Sequence, residues 1–213
     1  MKTAIIAGTS GLIGTALLPM LLDNPEYDKV ISLGRRTLPI QHPKLQQMVV
    51  DFRDLSSFNI PCHDVYCCLG TTIRIAKTKE RFFQVDHDYP LELAKAALRN
   101  GAESFGLISA IASDEKSRLF YSRVKGKLEN ELKTMAFKRL VLLRPSMLLG
   151  PRKEFRLAEW ISKQMMSLFS WMIPARYKAV KDTQVARTLM EHCIQGAGGI
   201  HILENEVILR TKG

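Results

Sequence analysis

The sequence predicts an α/β fold with a doubly wound parallel sheet, and two observations support this prediction. Short apolar runs typical of buried strands alternate with helical stretches over most of the chain. Such alternation implies crossover connections, which join parallel strands. The first run, Thr3–Ala7, leads through a glycine-rich turn directly into a helical stretch. A sheet of the Rossmann type begins in this way.

The later elements continue the pattern. Further strands are predicted at residues 29–33, 47–50, 64–69, 104–109 and 140–144. Helices are predicted at residues 12–22, in a long region that ends at Asn100, and at 120–135. Gly101 ends the second of these helices, and Pro145 ends the strand at residues 140–144. Beyond Gly150 we expect a helix at 154–171, a basic irregular segment at 174–181, a helix at 182–194 and a strand near 200–209.

Length and composition are those of one folded domain. The chain has 213 residues, of which 46% are hydrophobic and 24% charged, so we expect a single dinucleotide-binding domain over residues 1–213. Residues 151–213 should form its substrate-side C-terminal part.

Residues 3–22 carry no charge, but the three glycines and Pro19 there argue against a signal peptide or membrane span. The four cysteines and five histidines show neither a disulfide framework nor zinc-ligand spacing. We therefore predict no metal and a cytoplasmic location.

The formal net charge of +10 favours an anionic ligand or partner without choosing among a phosphate-rich cofactor, an acidic protein and a nucleic acid. The sequence contains no recognised nucleic-acid-binding signature. We therefore do not expect specific nucleic-acid binding.

The turn after the first strand has the context that dinucleotide binding requires. One glycine permits the tight turn, one lets backbone N–H groups approach the pyrophosphate, and one lets helix and strand pack closely. The predicted contacts are Gly8, Thr9, Ser10, Gly11, Leu12, Ile13 and Gly14.

The end of the second strand predicts which dinucleotide is bound. Arg35 and Arg36 stand where an NAD enzyme usually carries an acidic residue for the ribose 2′-hydroxyl. Guanidinium groups form bidentate bonds to phosphate, so NADPH is the predicted cofactor. Two exposed loop arginines are the alternative.

Two further segments follow strands at the same sheet edge. Asp51 and Phe52 are placed to bracket an adenine ring, with Asp51 accepting from its amino group. After the fourth strand, small residues would let the cofactor lie against the backbone, and the predicted contacts are Leu69, Gly70, Thr71 and Thr72.

A catalytic group is predicted around Tyr121 and Lys125, which stand four residues apart on one helix face. A nearby ammonium favours the phenolate form of tyrosine, so Tyr121 could exchange a proton with a carbonyl that is reduced by hydride. Ser109 ends the preceding strand. The same spacing recurs at Tyr177 and Lys181, but that segment does not resemble a long helix, so we interpret it as a chance match.

These motifs together resemble the atypical short-chain dehydrogenases/reductases, in the branch of the HIV Tat-interacting, oxidoreductase-like proteins and their bacterial relatives. The resemblance extends from about residue 2 to 160 and includes Val85, Asp86, Asp88, Tyr89 and Arg144 beside the residues above. It implies that Tyr121 is the proton donor or acceptor, that Lys125 binds the nicotinamide ribose and that Ser109 contacts the substrate carbonyl. It also implies backbone contacts to the carboxamide near Pro145 and Leu148.

Two departures from the wider superfamily affect the proton relay. Asp86 replaces a common asparagine, and Ala110 and Ile111 replace serine or threonine. We therefore predict an NADPH-dependent oxidoreductase acting on a carbonyl or hydroxyl of a small molecule. The alternative is an NADPH-sensing regulatory protein that acts through a protein partner without turnover.

Overall fold

The computed structural model describes residues 2–150 and 174–212. Seven parallel strands form one sheet in the order β3-β2-β1-β4-β5-β6-β9. These strands are β1 (Thr3–Ala7), β2 (Lys29–Gly34), β3 (Leu45–Val49), β4 (Asp64–Cys67), β5 (Ser104–Ile108), β6 (Arg139–Arg144) and β9 (Gly199–Glu204). The strand order reverses between β1 and β4, which is where ligands bind in sheets of this kind. The predicted fold class is confirmed.

Helices cover both faces of the sheet. They are α1 (Leu12–Asp23), α2 (Ile73–Ala76), α3 (Lys79–Phe83), α4 (Tyr89–Arg99), α5 (Phe120–Lys133), α6 (Asp182–Gln195) and α7 (Asn205–Arg210). A π-helical turn, Gln84–Asp88, joins α3 to α4. Two short strands, β7 (Leu148–Leu149) and β8 (Val180–Lys181), pair beside the main sheet, and a 3₁₀ turn spans Ala175–Tyr177.

The central strands are largely apolar because both of their faces are buried. In β1, Ile5 and Ala7 join the core beneath α4 and α5, whereas Ala4 and Ile6 join the core beneath α1 and α6. All four are fully buried. Continuous burial therefore accounts for the uninterrupted apolar runs from which the strands were predicted.

The structure corrects the end of the chain. The predicted strand near residues 200–209 ends at Glu204, and a helix follows. The cause is the buried side chain of Asn205, which donates to the carbonyls of Ala175 and Lys178 and accepts from the N–H of Ser146. The long helix predicted before Asn100 is divided into α2, α3, the π-helical turn and α4. The predicted helix at 154–171 lies outside the described residues.

The described part of residues 151–213 belongs to the sheet layer. Strand β9 forms the edge beside β6, and α6 packs against α1, β5 and β6. A substrate-side role for this region stays a prediction. Within residues 2–150 and 174–212, none of the helices combines the length and apolar character needed to cross a bilayer.

Candidate active site

A cavity of about 620 Å³ lies at the carboxyl edge of the sheet, next to the point where strand order reverses. We call it the main cavity. Four loops line it, one after each of β1, β2, β3 and β4. They bring together many of the predicted cofactor residues, namely Gly8, Thr9, Ser10, Gly11, Arg35, Arg36, Phe52, Leu69, Gly70 and Thr71.

Backbone packing requires glycine in the turn after β1. Gly8 has φ +88°, and a Cβ there would lie 2.5 Å from the Cys68 carbonyl oxygen. A Cβ on Gly14 would lie 2.2 Å from the Gly8 carbonyl oxygen, so α1 can pack against the turn only without a side chain. Leu12, Ile13 and Gly14 form the first turn of α1 rather than lining the cavity.

The start of α1 suits an anion. Gly11 is the N-cap residue and has no side chain to accept from the first helical N–H groups, and no acidic residue occupies the first turn. The unpaired N–H groups of a helix start bind phosphate well. After β4, Leu69, Gly70 and Thr71 line the cavity, whereas the Thr72 hydroxyl caps α2 by accepting from the N–H of Ile75.

Of the residues predicted to bind the adenosine part of the cofactor, Arg35, Arg36 and Phe52 line the main cavity and Asp51 does not. Arg35 and Arg36 are exposed, and neither has an ion pair among the described residues. Asp51 lies outside the main cavity, where its carboxylate accepts hydrogen bonds from the Arg53 guanidinium. These bonds lower the pKa of Asp51 to about 2. An adenine amino group would have to share this carboxylate with a guanidinium. Phe52 is buried and stacks on Tyr89.

Tyr121 and Lys125 lie at the start of α5 and differ sharply in burial. Tyr121 is 38% exposed, and its ring lies 5.5 Å from that of Phe82. The Lys125 ammonium is buried and lies 2.8 Å from the Asp86 carboxylate. The other Asp86 oxygen accepts from the N–H of Thr71 at 2.8 Å. Asp86 therefore joins the predicted catalytic lysine to a cofactor-lining loop.

The environment of Lys125 keeps it charged. Burial alone would lower the pKa of Lys125, but the charge of Asp86, the proximity of Tyr121 and the hydrogen bond to Asp86 outweigh it, so the pKa is raised. Gly70 lies directly beside this pair, because a Cβ there would be 3.4 Å from Asp86 Oδ1 and 3.9 Å from Lys125 Nζ. A buried ammonium thus stands beneath the floor of the main cavity.

The Ser109 hydroxyl is engaged within the protein. It donates to Glu129 at 2.5 Å and lies 3.0 Å from the Ser113 hydroxyl, which donates to the Ala110 carbonyl. Glu129 is fully buried and also accepts two hydrogen bonds from Arg144. A serine hydroxyl has one proton, so in this arrangement Ser109 has none left for a substrate.

The remaining predicted positions lie apart from the described cavities. Pro145 is buried and its carbonyl accepts from the N–H of Ile111, while Leu148 pairs with Val180 in the small sheet. Tyr177 belongs to a 3₁₀ turn, whereas Lys181 lies in β8, so these two residues share no helix face.

Sequence reasoning missed four residues around the site. Arg81, Val85 and Tyr89 line the main cavity, and Glu129 binds Ser109. Glu129 had a sequence signal, because it follows Tyr121 and Lys125 at the same four-residue spacing. Val85 and Tyr89 belong to the residues that carry the family resemblance, but no site role was predicted for them. Arg81, in α3, had no sequence signal.

Comparison with known protein families decides the assignment. Residues 4–169 match the model of the NAD dependent epimerase/dehydratase family. The chain belongs to this family. Rat protein HTATIP2 is 36% identical over 98% of this chain and 88% of its own length. Protein FMP52 of Candida glabrata is 35% identical over 72% of this chain and 66% of its own length. The predicted resemblance is confirmed.

Solved structures share the fold. The Bordetella bronchiseptica enzyme WbmH, in complex with NAD⁺, aligns with a TM-score of 0.72 at 17% identity, over 96% of this chain and 75% of the enzyme. Human epimerase family protein SDR39U1, with NADPH, aligns with a TM-score of 0.65 at 16% identity, over 96% of this chain and 77% of that protein. The chain therefore has an NAD(P)-binding Rossmann fold of the short-chain dehydrogenase/reductase type.

One prediction is contradicted by these relatives. The fungal FMP52 proteins of Candida glabrata, Emericella nidulans and Eremothecium gossypii, 32% to 35% identical to this chain, are named mitochondrial. The predicted cytoplasmic location is therefore contradicted, because a cysteine pattern without a disulfide framework does not distinguish the cytosol from the mitochondrion.

Proposed function

We propose that this protein is an NADPH-dependent oxidoreductase that transfers hydride to or from a carbonyl or hydroxyl carbon of a small molecule. The observation that carries the proposal is the Tyr121, Lys125 and Asp86 group beside the main cavity. It combines an exposed phenol with a buried ammonium that lies beneath Gly70. Arg35 and Arg36 on the cavity wall support NADPH as the dinucleotide.

Each group has a separate part in the proposed reaction. The N–H groups at the start of α1 would hold the pyrophosphate, and the Lys125 ammonium would hold a ribose hydroxyl. A bound nicotinamide would supply or accept the hydride. Tyr121 gives its proton to the carbonyl oxygen during reduction and takes it back during oxidation.

Turnover of a carbonyl panel tests this function. Aldehydes, ketones and quinones are offered with NADPH, whose oxidation is followed by absorbance. Tyr121→Phe should lower the rate by about 10²- to 10⁴-fold with little change in NADPH affinity, because only a hydroxyl is lost. Tyr177→Phe, at the chance match, should keep the wild-type rate. Full activity in Tyr121→Phe on a genuine substrate would contradict the catalytic assignment.

A second function, NADPH sensing through a protein partner without turnover, is favoured by one observation. The Ser109 proton is committed to Glu129, so this serine does not polarise a substrate carbonyl. Tight NADPH binding with no turnover across the panel would favour the sensor, whereas turnover that depends on Tyr121 would exclude it.

A further inference from the structure

A second cavity of about 330 Å³ adjoins the main cavity. We call it the arginine pocket. Both cavities are lined by Arg35, Phe52, Arg81 and Tyr89, so these four residues form the junction between them. Arg36 lines the main cavity but not the arginine pocket. A ligand that follows the carboxyl edge past Arg35 would reach the arginine pocket.

The arginine pocket carries an uncompensated positive charge. Its walls contain three guanidinium groups, of Arg35, Arg53 and Arg81, and a single carboxylate, that of Asp51. Asp51 is bound by Arg53, so these two charges cancel. Arg35 and Arg81 remain, and neither forms an ion pair within the part of the chain that the structure describes. The two unmatched cations suit a dianion.

Arg81 is held in place before any ligand arrives. Its Nη1 donates to Gln84 Oε1 and to the Tyr89 hydroxyl, the latter at 2.9 Å. The guanidinium carbon lies 5.6 Å from the centre of the Tyr89 ring, and Tyr89 is itself buried and stacked on Phe52. A guanidinium fixed in this way loses less conformational entropy on binding than an exposed arginine does. Its remaining donors can form a two-bonded contact.

We propose that the arginine pocket binds the 2′-phosphate of the dinucleotide and that Arg81, with Arg35, is its principal ligand. A phosphate monoester carries a charge of about −1.5 to −2 near pH 7, which matches the two unpaired guanidiniums. Arg53 neutralises Asp51 and so removes the carboxylate that would repel this phosphate. The proposal rests on the proposed function, since it assumes a dinucleotide at the carboxyl edge. It assigns dinucleotide choice to α3 as well as to the end of β2.

Affinity measurements on one arginine at a time test the proposal. NADPH and NADH are titrated by fluorescence, and adenosine 2′,5′-bisphosphate and 5′-AMP by calorimetry. Arg81→Ala should weaken NADPH and the bisphosphate by about 10- to 100-fold, the range expected for hydrogen bonds to a charged group. NADH and 5′-AMP should change less than about twofold. Arg81→Lys should recover only part of the loss, because an ammonium lacks the planar fork.

Arg123→Ala is the matched control, since Arg123 is an exposed arginine of α5 that lines neither cavity. It should leave all four affinities unchanged. Circular dichroism checks that each variant is folded. If Arg81→Ala does not fold, the four affinities of Arg81→Lys test the proposal instead.

Two results would overturn the inference alone. Equal losses of affinity for NADPH and NADH in Arg81→Ala would mean that Arg81 contacts the adenosine that the two dinucleotides share. An unchanged preference for NADPH in this variant would mean that Arg81 lies outside the site. Failure of the proposed function has a different signature, because wild-type protein would then bind neither dinucleotide or would bind NADPH without turnover of the carbonyl panel. A wild-type preference for NADH would overturn the choice of cofactor together with the inference.

Discussion

The two ends of the parallel sheet use buried polar groups in opposite ways. At the amino end, the Tyr27 hydroxyl lies 2.8 Å from the Asp64 carboxylate and 2.6 Å from the Tyr66 hydroxyl, and all three side chains are buried. These three groups satisfy one another. At the carboxyl end, the Lys125 and Asp86 pair is equally buried but lies beside Gly70 on a cavity wall. Burial by itself therefore does not distinguish these two groups, whereas the adjacent cavity does.

Loss of Lys125 should give the largest effect on stability. Lys125→Ala leaves the Asp86 carboxylate buried without its partner, which costs about 3–5 kcal/mol, and should also abolish dinucleotide binding. Lys138→Ala is the control at the amino end, where the pair with Glu103 is exposed. Such pairs contribute roughly 0–1 kcal/mol. Urea unfolding of both variants checks the contrast, and equal losses would show that burial of the first pair has no energetic weight.

Gly14→Ala should act almost as strongly, and only at the carboxyl end. The added Cβ would meet the Gly8 carbonyl oxygen at 2.2 Å, so α1 must move away from β1. Overpacking of this kind costs roughly 1–3 kcal/mol, and displaced N–H groups should no longer bind pyrophosphate. Gly198→Ala, where the nearest atom is 3.4 Å away, is the control. Thermal unfolding and NADPH titration are the two readouts, and retained wild-type affinity in Gly14→Ala would argue against binding at this turn.

Tyr27→Phe should reverse this pattern, losing stability without loss of binding. The substitution removes the hydroxyl that Asp64 and Tyr66 share, and an unsatisfied buried group costs about 1–3 kcal/mol. The affinity for NADPH should stay within about twofold. Tyr177→Phe, at a 57% exposed position, should change stability by less than roughly 0.5 kcal/mol. A large loss of affinity in Tyr27→Phe would mean that the two ends of the sheet are coupled.

Alkaline pH should give the smallest effect on the free energy of unfolding. Burial, followed by the charge of Asp64, raises the pKa of Tyr27, and burial also raises that of Tyr66. Unfolded phenols ionise near pH 10, so this stabilisation is complete below about pH 10 and is lost as the pH rises further. Lys125 contributes with the same sign. The difference between wild type and Tyr27→Phe therefore isolates the amino end, and it should narrow above about pH 10 in urea unfolding.

The strands and the glycine turn were predictable because their signals are local. β1, β2, β4, β5 and β6 are largely apolar runs, and both of their faces are buried over most of their length. The helix Asn205–Arg210 was not predictable in this way. Its Val-Ile-Leu run is typical of a strand, but contacts of Asn205 to Ser146, Ala175 and Lys178 decide the conformation. Those partners lie far away in the sequence.

The candidate site shows the same difference between local signals and long-range contacts. Arg35, Arg36, Tyr121 and Lys125 stand at positions defined by a strand end or a helix face, so their spacing predicted where the structure places them. Arg81 reaches the cavity because α3 and the π-helical turn fold back over it. The Asp86 contact to Thr71 likewise depends on that turn. Long-range geometry of this kind leaves no pattern in one sequence.

The affinity of the wild-type protein for NADPH and NADH, titrated by fluorescence at one fixed ionic strength, tests the central claim most directly. If the carboxyl end is an NADPH site, NADPH should bind at least about 10-fold tighter, since a phosphate bound by guanidinium is worth more than about 1.4 kcal/mol. The Arg35→Ala, Arg36→Ala double variant should weaken this preference, and Tyr27→Phe should keep it. Equal wild-type affinities, or a preference that survives the double variant undiminished, would contradict the account.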